Sequence, residues 1–257
     1  MSDGYTRDYF LGDCEGHREF LESGGSILSP RLRGTLALVR AELRDGDRVL
    51  EIGFGRGELL HAVARELSVR AFGCEAAGDA VAIAAGLNRA APAERRPRLV
   101  RGAIAALPFA PASFDVVLLI DVVEHIAAAE LTAAFRVLRG LLRPGGRIVV
   151  HTQPNLWHFR FGYPLYRLLR GLKNRHWLPK EPRQPSDFLL HINEQSPLSL
   201  WRLGWQAGLR ARIWLARPCW YSQEGKPAAG LARLAQCLLP IRLLFYKELY
   251  AVYRRCG

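Results

Sequence analysis

Residues 49–57 read VLEIGFGRG, a short apolar run that ends in three alternating glycines. A second apolar stretch, residues 59–64, follows directly. This order predicts a buried strand, a tight turn and a helix. Because glycine has no Cβ, such a turn lets a ligand approach bare backbone at a helix N-terminus. The pattern alone belongs to several nucleotide-binding folds, so the sequence around it has to decide among them.

Four later features follow at the spacing of alternating strands and helices. The first is a second buried strand, residues 69–75, whose last residue Glu75 lies 18 positions after Gly57. An acid about 20 residues beyond a glycine turn can accept hydrogen bonds from both hydroxyls of a ribose. The other three are a turn at 102–109 after a third strand at 98–101, the strand SFDVVLLID at 113–121, and the helix stop and fifth strand LRPGGRIVV at 142–150.

These motifs together resemble the class I S-adenosylmethionine-dependent methyltransferases. The resemblance rests on VLEIGFGRG, the strand end at Glu75, LPF with SFD, DVVEH and LRPGGRIVV, and it covers residues 45–155 strongly and 196–216 more loosely. The implied fold is an α/β, Rossmann-like, seven-stranded and mostly parallel sheet with helices on both faces and an antiparallel last strand. We divide the chain into an N-terminal cap at 1–45 and a methyltransferase domain at 46–257, with a lid inserted at about 153–195.

The resemblance implies S-adenosylmethionine as the cofactor. It places the amino-acid and ribose portions of that cofactor against the glycine turn and the ribose hydroxyls on Glu75. Family members often carry an acid after the third strand, whereas this chain has Ala103, so we expect backbone at Ala103 and Ile104 to meet the adenine ring. The residues predicted to bind the cofactor are Glu51, Gly53, Gly55, Gly57, Glu75, Ala103, Ile104 and Asp121.

Acceptor chemistry is predicted at the end of the fourth strand. Asp121, Glu124 and His125 stand there, and His191 lies in a later segment. The set resembles one in small-RNA terminal 2′-O-methyltransferases and, in part, ubiquinone-pathway O-methyltransferases, where it holds a divalent cation beside the acceptor oxygen. Three roles stay open: a metal site, a general base at His125 or His191 without metal, or support of the cleft alone.

The remaining histidines divide into three groups. His151 ends the fifth strand and is a rival base, or a partner within the sheet. His158 and His176 in the lid are expected at the surface or against the acceptor. His17 and His61 receive no role.

Charge and aromatic residues are unevenly distributed. The chain carries 36 Lys and Arg against 24 Asp and Glu in 257 residues, and the whole excess of +12 lies after residue 150, as do all six tryptophans. A basic, aromatic region beside a cofactor fold predicts an anionic partner, although an arginine-rich surface would show the same excess. Residues 9–25 and 191–209 are similar to segments of bacterial methyltransferases that act on small molecules or cell-surface glycans, and this resemblance implies a small-molecule, sugar or lipid-linked glycan acceptor. The alternatives are an RNA methyltransferase and a non-catalytic protein that kept the fold.

The sequence also predicts where the protein works. The sequence contains no apolar run of 18 residues, so it predicts no transmembrane helix. The first residues lack the pattern of a signal peptide. The five cysteines are scattered along the sequence, which predicts reduced thiols in a cytoplasmic protein. In residues 228–247, leucines are interleaved with Arg233 and Arg242, as in interfacial helices, so peripheral contact with a membrane is a further expectation.

Overall fold

The computed structural model describes residues 4–174, 178–181, 190–218 and 239–255. These residues form a seven-stranded sheet with the strand order β3-β2-β1-β4-β5-β7-β6. Strands β1 to β5 pair in parallel, and β7 runs antiparallel to both of its neighbours. The predicted fold class, including the antiparallel last strand, is confirmed. The strands are β1 Arg48–Ile52, β2 Arg70–Glu75, β3 Arg98–Arg101, β4 Phe114–Ile120, β5 Leu142–Thr152, β6 Leu209–Pro218 and β7 Tyr246–Arg255.

Helices cover the sheet and connect its parallel strands. The α-helices are α1 His17–Ser23, α2 Pro30–Arg40, α3 Glu58–Glu66, α4 Gly78–Ala90, α5 Ala128–Leu141, α6 Tyr163–Asn174, α7 Pro197–Gln206 and α8 Leu239–Phe245. Short helical turns are present at Tyr9–Asp13, Ala93–Arg95, Val123–His125 and His158–Gly162.

The central strands are apolar on both faces, which explains their continuous apolar sequence. Alternation along β1 sends Leu50 and Ile52 to one side of the sheet and Val49 to the other. The first side packs against α5 and α7 through residues such as Phe135. The second packs against α2 and α3. Because both faces of the central sheet are buried, we expect a ligand to bind at the ends of the strands.

Two helix starts show why the sequence folds locally as it does. Ser29 precedes Pro30, and its side chain accepts a hydrogen bond from the N–H of Leu32, so α2 begins with an N-cap and a proline. Ser196 and Ser199 form a reciprocal capping box at the start of α7. Both helices therefore begin where their sequences predict.

Part of the predicted C-terminal amphipathic segment lies outside the described residues. The same holds for His176 and for residues 187–189, which precede His191. Within the described residues, no helix has the length and apolar character needed to cross a membrane.

Candidate active site

The candidate site lies at the carboxyl ends of β1, β4 and β5. The chain runs from β1 outward to β2 and β3 and then returns to place β4 on the other side of β1. A crevice forms at such a reversal of strand order, and ligands of open α/β sheets bind there. The glycine turn follows β1 at this edge, and Val123–His125 follows β4.

The glycine turn approaches the end of β4 closely. Gly53 has a φ of +68°, and a Cβ at this position would lie 2.6 Å from Cγ2 of Val122. Gly55 and Gly57 also have positive φ, at +54° and +84°. L-amino acids with a side chain rarely adopt this conformation. The turn therefore needs glycine both for its backbone shape and for its contact with the β4 end.

Two carboxylates border this turn. Glu51 is buried, and its Oε2 has no hydrogen-bond partner among the described residues. Burial beside Glu75 and Glu58 raises the pKa of Glu51 to about 8. Glu75 Oε2 accepts a hydrogen bond from the N–H of Gly55 at 3.0 Å, and its Oε1 accepts one from Ala77 at 2.9 Å. Each oxygen of Glu75 keeps a second lone pair for a hydroxyl. S-adenosylmethionine is a cationic ligand that contains a ribose. It fits a site where a carboxylate without a hydrogen-bond partner lies beside exposed backbone.

The predicted adenine end is formed by Ala103 and Ile104. Ala103 is exposed, and its carbonyl accepts a hydrogen bond from Ala106 at 3.0 Å. Ile104 packs half-buried against the core. The contact with an adenine ring at these two residues stays a prediction.

The N-terminal residues lie directly over the glycine turn, which sequence reasoning missed. Arg56 is 4 % exposed, pairs with Glu58 at 2.7 Å, and donates hydrogen bonds to the carbonyls of Phe10, Cys14 and Glu15. A buried guanidinium needs several acceptors, and here the acceptors come from the segment before α1. The arginine within this glycine turn is the feature of the sequence that could have predicted the contact.

Asp121 does not join the other predicted acceptor residues. Its carboxylate forms an ion pair with Arg31 of α2, and its Oδ1 lies 2.6 Å from Nδ1 of His151, although without the alignment of a hydrogen bond. Asp121 has a φ of +54°, which turns the chain sharply at the end of β4. The predicted four-residue metal set is therefore corrected to three, because the side chain of Asp121 is engaged by α2 and β5.

Glu124, His125 and His191 do come together. One ligand atom from each lies within 4.8 Å of the other two, and the two imidazole rings are 4.9 Å apart. Nδ1 of His125 lies 2.9 Å from the carbonyl of Leu190. A carbonyl only accepts, so in the neutral ring Nδ1 carries the proton and Nε2 holds the lone pair. The Oε2 atom of the fully buried Glu124 has no hydrogen-bond partner among the described residues, which suits a cation or a proton at this cluster.

The inserted segment is held at Glu124 by both of its ends. The N–H of Gln153, just after β5, donates to Oε1 of Glu124 at 3.4 Å. On the return, the N–H of Asn193 donates to the backbone carbonyl of Glu124 at 2.9 Å, and its side chain donates to Ile126. Both ends of the insertion therefore meet the three-residue cluster.

Tyr5 connects the cofactor end to this cluster. Its ring packs edge-on against His125 with centroids 5.9 Å apart. Burial, together with the negative charges of Glu124 and Glu75, raises the pKa of Tyr5 to about 12. The phenol is therefore neutral and lies near both carboxylates. The sequence carried no signal for Tyr5, because its position depends on the path of the N-terminal segment.

His158, Tyr163 and His61 make structural contacts away from the three-residue cluster. His158 is 2 % exposed and its Nδ1 contacts the carbonyl of Leu244, so its expected place at the surface is wrong. Tyr163 of the inserted segment is also buried, and its hydroxyl donates to the carbonyl of Pro179. His61 bridges Gly57 and Asn88, in line with its lack of a functional role.

His151 is fully buried and stays neutral near pH 7. Burial lowers its pKa, against the opposing influence of Glu248. Its ring packs on Tyr250 with centroids 4.6 Å apart, and the Tyr250 hydroxyl lies 3.1 Å from Oγ1 of Thr35 on α2. This chain of contacts joins β5, β7 and α2 beneath Asp121. His151 is thus placed to position Asp121 rather than to meet an acceptor from solvent.

Comparison with known proteins gives one family match and many similar folds. Residues 49–146 match the family model described as a methyltransferase domain. No curated protein matches the chain.

Three solved structures illustrate the shared fold. The YcgJ protein from Bacillus subtilis is 20 % identical, with a TM-score of 0.58 over 88 % of this chain and 99 % of that one. Magnesium protoporphyrin IX methyltransferase from Synechocystis, solved with bound SAH, is 15 % identical, with a TM-score of 0.60 over 97 % and 98 %. A SAM-dependent methyltransferase from Archaeoglobus fulgidus is 18 % identical, with a TM-score of 0.59 over 93 % and 99 %.

Proposed function

We propose that this chain, a class I S-adenosylmethionine-dependent methyltransferase, methylates a hydroxyl oxygen of a small molecule, a sugar or a lipid-linked glycan. One observation carries the proposal. The cluster of Glu124, His125 and His191 stands at the same sheet edge as the glycine turn, and Val122 joins the two. Imidazole and carboxylate groups at the cofactor cleft are suited to a hydroxyl acceptor, which has to lose a proton.

Cofactor binding is assigned to the residues around the β1 turn. S-adenosylmethionine supplies an electrophilic methyl group when it is bound. In the proposed arrangement, Gly53 and Gly55 present backbone to the ligand, and Glu75 accepts hydrogen bonds from ribose hydroxyls. Glu51 stabilises positive charge, because a nearby cation favours its ionised form. The N-terminal residues held by Arg56 cover this end and exclude water.

Acceptor activation is assigned to the three-residue cluster. Nε2 of His125 has a free lone pair because Nδ1–H is directed at Leu190. We propose that this atom takes the proton of the acceptor hydroxyl, and that Glu124 stabilises the resulting imidazolium. The same three side chains also form a plausible set of ligands for a divalent cation, which would lower the pKa of the hydroxyl instead. Chelator sensitivity separates the two versions.

The acceptor class is proposed from charge and composition. The region after residue 150 carries the net charge of +12 and all six tryptophans, which favours an anionic acceptor such as a phosphate-bearing glycan. RNA is the second candidate, because phosphates attract arginine and bases stack on aromatic rings. Salt-sensitive binding of RNA by the purified protein would favour that candidate.

A transfer assay tests the proposal. The purified protein is incubated with methyl-labelled S-adenosylmethionine and separate pools of free sugars, lipid-linked saccharides and RNA. We expect label in a hydroxyl-bearing sugar or lipid pool, loss of at least about a hundredfold in rate for His125→Ala, and unchanged cofactor affinity in that variant. His17→Ala, which alters a histidine outside the cluster, is the matched control. Label in RNA alone would overturn the acceptor class.

A further inference from the structure

Helix α6, in the insertion after β5, exposes a continuous apolar surface. Leu165, Leu168 and Leu172 are 42 %, 47 % and 69 % exposed, and Phe161 in the preceding helical turn is 55 % exposed. At 3.6 residues per turn the three leucines fall within an arc of about 60°. Tyr163 and Gly171, at other angles around the same helix, are buried. Burial of one side and exposure of an apolar stripe on the other make this helix unusual for a surface helix, whose outer face is normally polar.

The charges around this stripe have one sign. No acidic residue occurs between Glu130 and Glu181, whereas residues 156–180 contain six Lys and Arg. Arg160, beside Phe161, is exposed. Arg167 is half-buried, and its Nε donates to the carbonyl of Leu178 at 2.7 Å, so it also ties the helix to the chain that follows. The stripe therefore stands on a strongly basic segment.

We propose that the stripe formed by Phe161, Leu165, Leu168 and Leu172 lies in the interface of an anionic lipid bilayer. An exposed stripe of leucine and phenylalanine on a basic segment can bind this way, with the helix axis parallel to the surface. Each Lys or Arg near an anionic surface adds electrostatic attraction. The inference rests on this helix alone and does not depend on which hydroxyl is methylated.

The charge pattern distinguishes the bilayer from a second copy of the chain. Two copies meeting through α6 would bring two basic segments together without an acid from either segment to balance them. Like charges at close range disfavour such a contact. An anionic headgroup layer supplies the missing negative charge.

The position of α6 relates its apolar stripe to the candidate active site. The helix follows Gln153, whose N–H donates to Glu124, and the chain returns to Glu124 through Asn193. The chain therefore contacts Glu124 both before and after α6, which connects a membrane-bound α6 to the candidate active site. This placement would bring a membrane-borne acceptor close to the cleft.

Vesicle binding tests the inference. Full-length protein is sedimented with vesicles of phosphatidylcholine alone and with vesicles of equal parts phosphatidylcholine and phosphatidylglycerol. We expect binding to the anionic vesicles at low salt, and a decline as salt screens the attraction. The double variant Leu165→Ser/Leu168→Ser should lower the partition coefficient about tenfold or more. Arg160→Glu should lower it by about tenfold through charge alone.

Matched controls keep the result interpretable. Leu21 is 57 % exposed on α1, and Arg33 is exposed on α2. Leu21→Ser and Arg33→Glu should bind vesicles as the wild type does. Since all the substituted side chains are exposed, thermal unfolding should change little in every variant. Absence of wild-type binding to anionic vesicles, or equal binding by the double-serine variant, would overturn the proposal. A dimer that dissociates in the double-serine variant, without vesicle binding, would overturn it in favour of a second copy.

Discussion

Arg31 of α2 forms an ion pair with Asp121 at the end of β4. The side chain of Arg31 is 11 % exposed and that of Asp121 is 21 % exposed, so the pair is largely shielded from water. The Nε of Arg31 also lies 3.0 Å from Glu15 in the N-terminal segment. One arginine therefore joins the N-terminal segment around Glu15 to the strand end at the cleft.

Removal of Arg31 should destabilise the protein more than removal of a neighbouring exposed arginine. Arg31→Ala leaves Asp121 partly buried without its partner, and we expect a loss of about 2 kcal/mol in the free energy of unfolding. Arg33→Ala, at an exposed position on the same helix, should change it by less than about 0.5 kcal/mol. Urea unfolding of both variants measures the difference. Equal losses would mean that the ion pair has no structural role.

Alanine at Gly53 should cost more than alanine at another glycine with positive φ. Gly53 and Gly46 have φ of +68° and +84°, but a Cβ meets Val122 at 2.6 Å in the first case and nothing within 4 Å in the second. We expect about 1 kcal/mol of lost stability for Gly46→Ala from backbone strain, and about 3 kcal/mol for Gly53→Ala, in which Val122 also has to move. Addition of Val122→Ala to Gly53→Ala should recover part of the loss. No recovery would show that the cost is backbone strain alone.

The raised pKa of Glu51 predicts a pH dependence of stability. Burial and two neighbouring carboxylates raise this pKa from 4.5 to about 8 in the folded protein. The folded state therefore favours the protonated form, and stability is lost as pH rises from the unfolded to the folded pKa. Relative to the wild type, Glu51→Gln should gain on the order of 3 kcal/mol in unfolding free energy between pH 5 and pH 8. Glu22→Gln, at an exposed glutamate, should show no such gain.

Loss of the Glu75 carboxylate should weaken cofactor binding. Glu75 holds the N–H groups of Gly55 and Ala77 and is proposed to accept the ribose hydroxyls. Glu75→Ala should reduce the affinity for S-adenosylmethionine by about 1–3 kcal/mol. Calorimetry measures this change, and Glu22→Ala provides the control. Unchanged affinity in Glu75→Ala would remove Glu75 from the proposed cofactor site.

The metal version of the proposal predicts that the Glu124, His125 and His191 cluster binds a divalent cation. We expect Zn²⁺ at roughly a hundredfold excess over its dissociation constant to raise the melting temperature by about 5 °C or more. The rise should disappear in His191→Ala and persist in His17→Ala. If Zn²⁺ leaves the wild type unchanged, the metal version fails and His125 remains the proposed base.

Much of the fold could be predicted because it depends on local patterns. The run VLEIGFGRG, the strand end at Glu75 and LRPGG define strands, turns and helix stops over a few residues each, and the structure confirms the sheet that they predict. The same patterns indicated Glu124 and His125 together, because a short turn after β4 carries both. The pairing of His125 with His191 followed from the resemblance and not from spacing, since 65 residues separate them.

Long-range contacts were the part that the sequence could not decide. Asp121 stands three residues before Glu124, yet its positive φ directs it to Arg31 and His151, which come from α2 and β5. Likewise, nothing local indicates that Tyr5 reaches His125, or that Leu165 and Leu168 remain exposed while Tyr163 of the same helix is buried. The sequence by itself determined the sheet, the glycine turn and the chemical groups available at the strand ends. Only the tertiary structure decided which of those groups meet, because burial and pairing depend on elements far apart in the chain.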